Sequence, residues 1–509
     1  MNKKIGEFLF FLLLSILSGS LIVLAFPTFY YHELVWFAFV PLLYVIKNTD
    51  SRKAFFFGLT SGLVIYIWGF WWVTNSMIHF GGMHFSLALF CLFLFSLYHS
   101  LLYGFFAFIS NRLLGKGFSM LLVVPFIYTL LAFSFPTLFP WSVANSQIEN
   151  KYFSQVADLV GAIGLNVILL LSNVVIFEFL VSFKNRTCMS FIIKPLLMLF
   201  VIISLHAYGY FRIKNIQKTP YEKEFRVAIV QGSLGIDMLG TRSFTRKSFE
   251  VYERLSLEYK NFDLLVWPES SVPLSYTGSV EYKKKMDTLA SQINSNIIFG
   301  SWDTRKINGE EKSFSTAFLI GPDKEYQVYD KIKLLPFGDY MPLDTLFPFL
   351  RQFVVGVGDW VPGNERKILT VNGVRLIPSI CYEILIPGLN REFKKKGADL
   401  IVNMTNDTWF GNTKESYQHL GLGRFRAIEL RVPIVRSTNT GVSAFITETG
   451  RTVMSLELFL EGTISWDMRL KNSYSFFAGY GNLLLYIYFI LCMFFLLTPS
   501  VLRKLKKRR

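Results

Sequence analysis

The feature that most restricts this chain is an abrupt division of its hydrophobicity. Residues 1–211 and 474–498 are strongly apolar, while 213–470 has the composition of a soluble domain. Runs of about 20 apolar residues are long enough to cross a bilayer. They lie near 6–26, 54–73, 85–110, 117–135, 158–182, 190–211 and 475–497. An eighth, 30–46, is short and carries Glu33, and charge decides for it. Lys3 and Lys4 precede the first run, and Lys47, Arg52 and Lys53 follow the short one. Basic residues concentrate on the cytoplasmic side, so two crossings must separate those groups. Arg112 and Lys116, then Lys184 and Arg186, then the terminal RKLKKRR continue the alternation. The opposite loops, 27–33, 74–84 and 136–157, hold a single basic residue, Lys151. The pattern predicts a polytopic bundle of eight transmembrane helices, with both termini inside and the polar domain outside. Residues 1–212 form seven helices, 213–472 the outer domain, and 473–509 the eighth helix with a basic tail.

The inner segments carry 15 Lys and Arg against one acid, Asp50, which accounts for most of the formal charge of +16. The basic balance therefore reflects membrane orientation and anionic headgroups rather than nucleic acid. The first run is long for a signal peptide and no small-x-small cleavage site stands out, so it is read as a retained span. Ionisable groups in the interior of the runs are few (Glu178 and Lys194 near the inner side, His99 and His206), with no charged pair at mid-depth, which argues against a transporter. Of the four cysteines, Cys91 and Cys492 lie within spans and Cys188 at a helix end, where packing is the ordinary role. Cys381 alone lies outside the membrane, without a disulfide partner, where an idle thiol is a liability.

Between 213 and 470 the periodicity changes. FRVAIVQG (225–232), FDLLVWPES (262–270), NIIFGSW (296–302), STAFLIG (315–321), VRLIPSICYE (374–383), DLIVNMTND (399–407) and VPIVRSTN (432–439) are short β-branched or aromatic runs closed by turn residues. Helical patterns lie between several of them, at 243–258, 282–294 and 413–430. Alternation of this kind predicts an α/β layer fold with buried sheets, whose ligands gather at strand ends. Three strand ends carry unusual polar groups: Glu269 in WPES, Lys331 and Asp339 in YDKIKLLPFGDY, and Cys381 in SICYE.

Those residue types form a complete acyl-transfer set. A thiolate attacks a carbonyl, a carboxylate carries the thiol proton away and returns it, and a nearby ammonium lowers the thiol's pKa. The ammonium and the backbone N–H after the nucleophile can stabilise the oxyanion. Glu269 is then the base, Lys331 the electrophilic stabiliser and Cys381 the nucleophile. No histidine is required, and the domain's single one is His419. No metal-ligand spacing, phosphate-binding glycine loop or nucleotide fingerprint is present, so no cofactor or metal is expected.

WPES, the Y-x-K-x-x-L-x-PFG-acid segment and S-x-CYE, in this order, resemble the carbon–nitrogen hydrolase (nitrilase) superfamily. Together with eight spans they resemble the apolipoprotein N-acyltransferase family. IHFGGM (78–83), FPW with SQ (139–147), GFWW (69–72), NDTWFG (406–411) and RAIELRVPIVRSTNTG (426–441) extend the likeness over nearly the whole chain. The resemblance implies a nitrilase-like αββα sandwich in the periplasm of a bacterial inner-membrane protein. It implies transfer of an acyl chain from a phospholipid, through a Cys381 thioester, to the N-terminal amine of a lipoprotein's diacylglyceryl-cysteine. It gives Glu383 the second carboxylate, orienting Lys331, and puts the Tyr382 N–H in the oxyanion hole. It makes Trp409 an aromatic near the substrate entrance. Asp339 stands where the family usually has Glu, and VQGSLGIDM departs from its usual loop.

The segment YMPLDTLFPFLRQFVV (340–355) is too apolar for an ordinary surface loop and reads either as a lid touching acyl chains or as chain folded into the core. Phe337 and Phe349 are accordingly expected to contact substrate. Trp68, Trp71 and Trp72 suit headgroup anchoring. A membrane-tethered amidase hydrolysing a small amide with the same three residues is the alternative activity.

Overall fold

The computed structural model describes residues 2–27, 29–182, 190–235, 241–342, 344, 346–348 and 357–506. Two compact units emerge. One comprises 1–71, 89–214 and 480–509; the other comprises 72–88 and 215–479.

The first unit is helical. Its helices are α1 (Asn2–Leu24), α2 (Val40–Asn48), α3 (Ser51–Gly69), α5 (Phe85–Gly115, after the short α4, Trp72–His79), α6 (Met120–Ser134), α7 (Ala157–Ser182) and α8 (Ser190–Lys218), closed by α14 (Leu483–Lys506), which follows the five-residue α13 (Phe476–Tyr480) that begins in the other unit. Among the described residues, four stretches, 3–24, 85–115, 153–182 and 192–218, are long and apolar enough to cross a membrane; α3 with α4 makes five if a broken pair counts as one span. The predicted short span becomes a 3-10 turn, His32–Trp36, followed by the nine-residue α2. At 1.5 Å per residue α2 is only about 14 Å long.

Backbone left bare in an apolar bundle must find partners. Asn173 on α7 supplies them for the irregular stretch before α2, accepting from Phe39 N at 2.7 Å and donating to Val35 O at 2.8 Å. Asp50 caps α3, accepting from the N–H groups of Arg52 and Lys53 at 3.0 Å. Opposite ends of α7 and α8 are pinned by ion pairs, Arg212–Asp158 at 2.7 Å and Lys194–Glu178 at 2.6 Å.

The second unit is a two-sheet sandwich. Its strands are β1 (Lys223–Gln231), β2 (Leu264–Val266), β3 (Val272–Ser275), β4 (Asn296–Ile307), β5 (Glu310–Ile320), β6 (Tyr326–Asp330), β7 (Leu369–Val371), β8 (Val374–Ile380), β9 (Leu400–Thr405), β10 (Ile434–Thr438), β11 (Ser443–Ile446), β12 (Thr452–Leu456) and β13 (Gly462–Leu470). One sheet runs β13-β1-β2-β4-β5-β6, with β3 beside β4; the other runs β12-β11-β10-β9-β8-β7. β2, β9 and β10 are buried along their whole length, and the apolar runs LLV, LIV and IV that open them reflect cover on both faces. Helices α9 (Arg242–Ser256) and α10 (Val280–Ile293) pack Phe249, Tyr252, Met286 and Leu289 onto the first sheet around Trp267. Helices α11 (Pro387–Lys395) and α12 (Glu415–Leu430) accompany the second. Buried hydroxyls join the sheets: Ser437 Oγ donates to Val266 O at 3.1 Å, and Thr438 Oγ1 to Gln231 Oε1 at 3.2 Å.

β2 and β4 run parallel, and β6 returns to their direction through antiparallel β5. β8, β9 and β10 are also parallel. The carboxyl ends of these strands therefore gather the loops that begin at Trp267, Lys331, Cys381 and Asn406.

Candidate active site

Glu269, Lys331 and Cys381 each follow a strand and meet at these ends. Lys331 Nζ lies 3.2 Å from Glu269 Oε1 and 2.8 Å from Asp339 Oδ2, with only 2% of its surface exposed. Asp339 also accepts from Leu335 N at 2.7 Å, so it is fixed by its own turn. Glu269 Oε2 accepts from Asn406 N at 3.2 Å. Gly300 lets the Glu269 loop lie against β4, since a Cβ there would stand 2.6 Å from Glu269 Cα.

The backbone is bent to present these groups. Cys381 has φ 49° and Ser270, next to Glu269, φ 56°. A non-glycine residue in the left-handed region costs about 1–2 kcal/mol and marks positions held by their surroundings.

The charges correct one expectation. Burial raises the Cys381 thiol well above its ordinary range, and the Glu269 carboxylate adds to that rise more than Lys331 offsets it. Two carboxylates already neutralise the ammonium. Burial lowers the Lys331 ammonium less than Asp339 and Glu269 raise it, so it stays charged. Burial likewise raises Glu269, against the pull of Lys331. The site thus holds a protonated thiol beside a proton-hungry carboxylate, suited to proton transfer during attack.

Glu383, fully buried, holds backbone rather than the ammonium. Oε1 accepts from Tyr329 Oη at 2.8 Å, Ile332 N at 2.7 Å and Lys333 N at 3.1 Å, and Oε2 from Ile380 N at 2.9 Å. This clasp joins the turn after Lys331 to the strand end before Cys381. Burial pushes its carboxyl up to about 7, despite the donors that pull it down. Tyr382 is half-buried directly after Cys381.

Trp409 is half-buried on a 3-10 turn, Asp407–Phe410, with its ring centroid 3.9 Å from that of Phe80. Asn75 Nδ2 donates to Phe410 O at 2.9 Å, and Trp72 Nε1 to Gln418 Oε1 at 3.1 Å. The α4 segment is thereby part of the sandwich unit, and Trp72 is buried within it rather than placed as an exposed anchor. Phe337 is 52% exposed, with φ 63°, in the turn between Lys331 and Asp339. Phe349, like most of the expected lid and Cys188, lies outside the described residues.

Sequence reasoning missed a polar layer beneath Cys381. Arg436 donates to Asp407 Oδ2 at 2.8 Å and to Asn403 Oδ1 at 2.6 Å; Asn403 Nδ2 reaches Cys381 O at 3.4 Å. His419 Nδ1 lies 3.4 Å from Asp407 Oδ1 and 3.6 Å from Glu415 Oε1. Arg436 balances this buried acid cluster. The early signals were the NDTWFG segment that contains Asp407 and the 426–441 segment that contains Arg436.

Residues 18–175 match the family described as apolipoprotein N-acyltransferase N-terminal domain, and 226–476 match the carbon-nitrogen hydrolase family. An apolipoprotein N-acyltransferase of Geobacter metallireducens is 33% identical over 479 residues, covering 92% of this chain and 91% of that one. One from Bdellovibrio bacteriovorus is 30% identical over 509 residues, covering 92% and 90%. A Nesterenkonia amidase of the nitrilase superfamily superposes with TM-score 0.38 at 17% identity, over 50% of this chain and 93% of that one. With such identity sustained along nearly its full length, the chain belongs to the apolipoprotein N-acyltransferase family.

Proposed function

We propose that the chain moves an acyl group from a phospholipid to the α-amino group of a diacylglyceryl-cysteine at the N-terminus of a lipoprotein. The observation that supports this most is the meeting of Glu269, Lys331 and the buried Cys381 at one sandwich edge. In the first step Glu269 takes the thiol proton as sulfur attacks the ester carbonyl. Lys331 and the Tyr382 N–H receive the oxyanion. Collapse breaks the ester C–O bond, and Glu269 returns the proton to the departing lysophospholipid oxygen. In the second step the lipoprotein amine attacks the thioester, gives a proton to Glu269, and leaves as the amide while sulfur recovers its proton. Asp339 keeps Lys331 in line, Glu383 fixes the two loops, and Trp409, Phe337 and Phe349 bind acyl chains.

The same reading places residues 1–212 and 473–509 in a bacterial inner membrane as eight passes, termini cytoplasmic, with 213–472 as the periplasmic catalytic domain. The alternation of Lys and Arg between loops supports it. The test is a transfer assay in phospholipid vesicles with a synthetic diacylglyceryl-cysteine peptide. Peptide should gain one acyl mass with the parent protein and none with Cys381→Ala; hydrolysis of a small amide without peptide acylation would favour a tethered amidase.

A further inference from the structure

β8 and β9 run parallel in the register Ile380↔Met404, which sets Thr405 beside Cys381 at the ends of neighbouring strands. Thr405 is fully buried, and on one side its hydroxyl is among the groups that pull the neighbouring Cys381 thiol down against burial. On the other side the same Oγ1 donates to Asp407 Oδ1 at 3.2 Å. One hydroxyl proton thus has two claimants. Before attack only Asp407 bears a charge on Thr405's two sides; burial would raise it, but the Arg436 guanidinium, with His419 and Thr405, holds it down to about 2. After Glu269 takes the thiol proton, sulfur becomes the second anion. Asp407 does not depend on Thr405 alone at that moment, because Oδ2 keeps its hydrogen bond from Arg436 at 2.8 Å.

We infer that Thr405 is a further catalytic residue, whose hydroxyl turns from Asp407 to the Cys381 sulfur as the thiol ionises and stabilises the thiolate. No proton leaves Thr405; only the O–H direction changes, while the thiol proton goes to Glu269. Arg436 makes the turn cheap by keeping Asp407 hydrogen-bonded throughout. This inference rests on Cys381 being the nucleophile.

The experiment measures iodoacetamide alkylation of Cys381 against pH, in full-length protein in lipid nanodiscs, by mass spectrometry of the Cys381 peptide. Parent, Thr405→Ser and Thr405→Val are compared, with Thr405→Ala replacing the Val variant if that does not fold. The groups facing the thiol (Glu269, Lys331, Asp339) and those facing Thr405 (Asp407, His419, Arg436) are identical in all variants. Loss of a charge-assisted hydrogen bond should raise the thiol's apparent pKa by about one unit and slow alkylation roughly ten-fold near neutrality, with Ser within about three-fold of the parent. A Val or Ala variant with the parent's profile, or a Ser variant as slow as Val, overturns the role of Thr405. A parent whose Cys381 is inert to iodoacetamide and forms no acyl adduct overturns the nucleophile itself, and Thr405's role with it.

Discussion

Replacing Glu383 by Gln changes one atom of a fully buried clasp, and its consequence can be worked out bond by bond. The carboxylate accepts four hydrogen bonds, three at Oε1 and one, from Ile380 N, at Oε2. Gln has one acceptor oxygen. If that oxygen stays at the three-donor end, the new NH₂ faces Ile380 N–H, donor against donor. An unsatisfied buried donor costs about 1–3 kcal/mol, and three bonds lose their charge assistance at about 0.5–1 kcal/mol each. The sum is about 3–5 kcal/mol. For a domain of this size about 1 kcal/mol moves Tm by 2–4 °C, so Tm should fall by roughly 10 °C. The two loops held by Glu383 carry Lys331 and Cys381, so Cys381 acylation should fall at least ten-fold even below the new Tm. The assay is thermal unfolding at about pH 8, where the carboxyl is ionised, with acyl-adduct formation measured on the same sample. E383Q with parental Tm and parental acylation would refute the clasp.

Three further outcomes follow from the same geometry. Gly300→Ala drives a Cβ to 2.6 Å from Glu269 Cα, backbone that cannot swing aside, so stability should drop by about 1–3 kcal/mol and acylation with it; unchanged activity would show that Glu269 is held elsewhere. Lys331→Met leaves Glu269 and Asp339 buried without their cation at about 3–5 kcal/mol, and adduct formation should fall by about 10²–10³; a Met variant within ten-fold of the parent in single-turnover acylation contradicts the stabiliser role. Glu383 has a folded pKa of about 7 against 4.5 unfolded, so the folded state binds the extra proton. Its contribution to stability is complete below about pH 4.5 and is lost as pH rises through about 7. A pH series of melting curves should show that loss in the parent and not in E383Q.

Much of the site was readable because each reactive group directly follows an apolar strand run: LLVW before Glu269, YQVY before Lys331, LIPSI before Cys381. Strand ends are where an α/β sandwich exposes side chains, and the chemistry of Glu, Lys and Cys then narrows the choice. The layer beneath was not readable. Thr405, Asp407, His419 and Arg436 act through one another across four segments, and nothing local distinguishes them from packed polar residues. The thiol's raised pKa was also hidden, because it depends first on burial and then on the Glu269 carboxylate, neither of which the local sequence shows. Strands β3, β7 and β11–β13 lack long apolar runs, being partly exposed or only a few residues long. Residues 74–84 read as an outer loop, and only the contacts of the Trp72–His79 helix to Phe410 and Gln418 place it with the sandwich.

The central claim is that Cys381 carries the acyl group between donor and acceptor. Intact-protein mass spectrometry after incubation with phospholipid, without acceptor, tests it most directly. A single acyl mass on Cys381, removed by hydroxylamine and absent from Cys381→Ala, is the predicted result. Lysophospholipid release with no adduct on Cys381, or an equal adduct in Cys381→Ala, would contradict it.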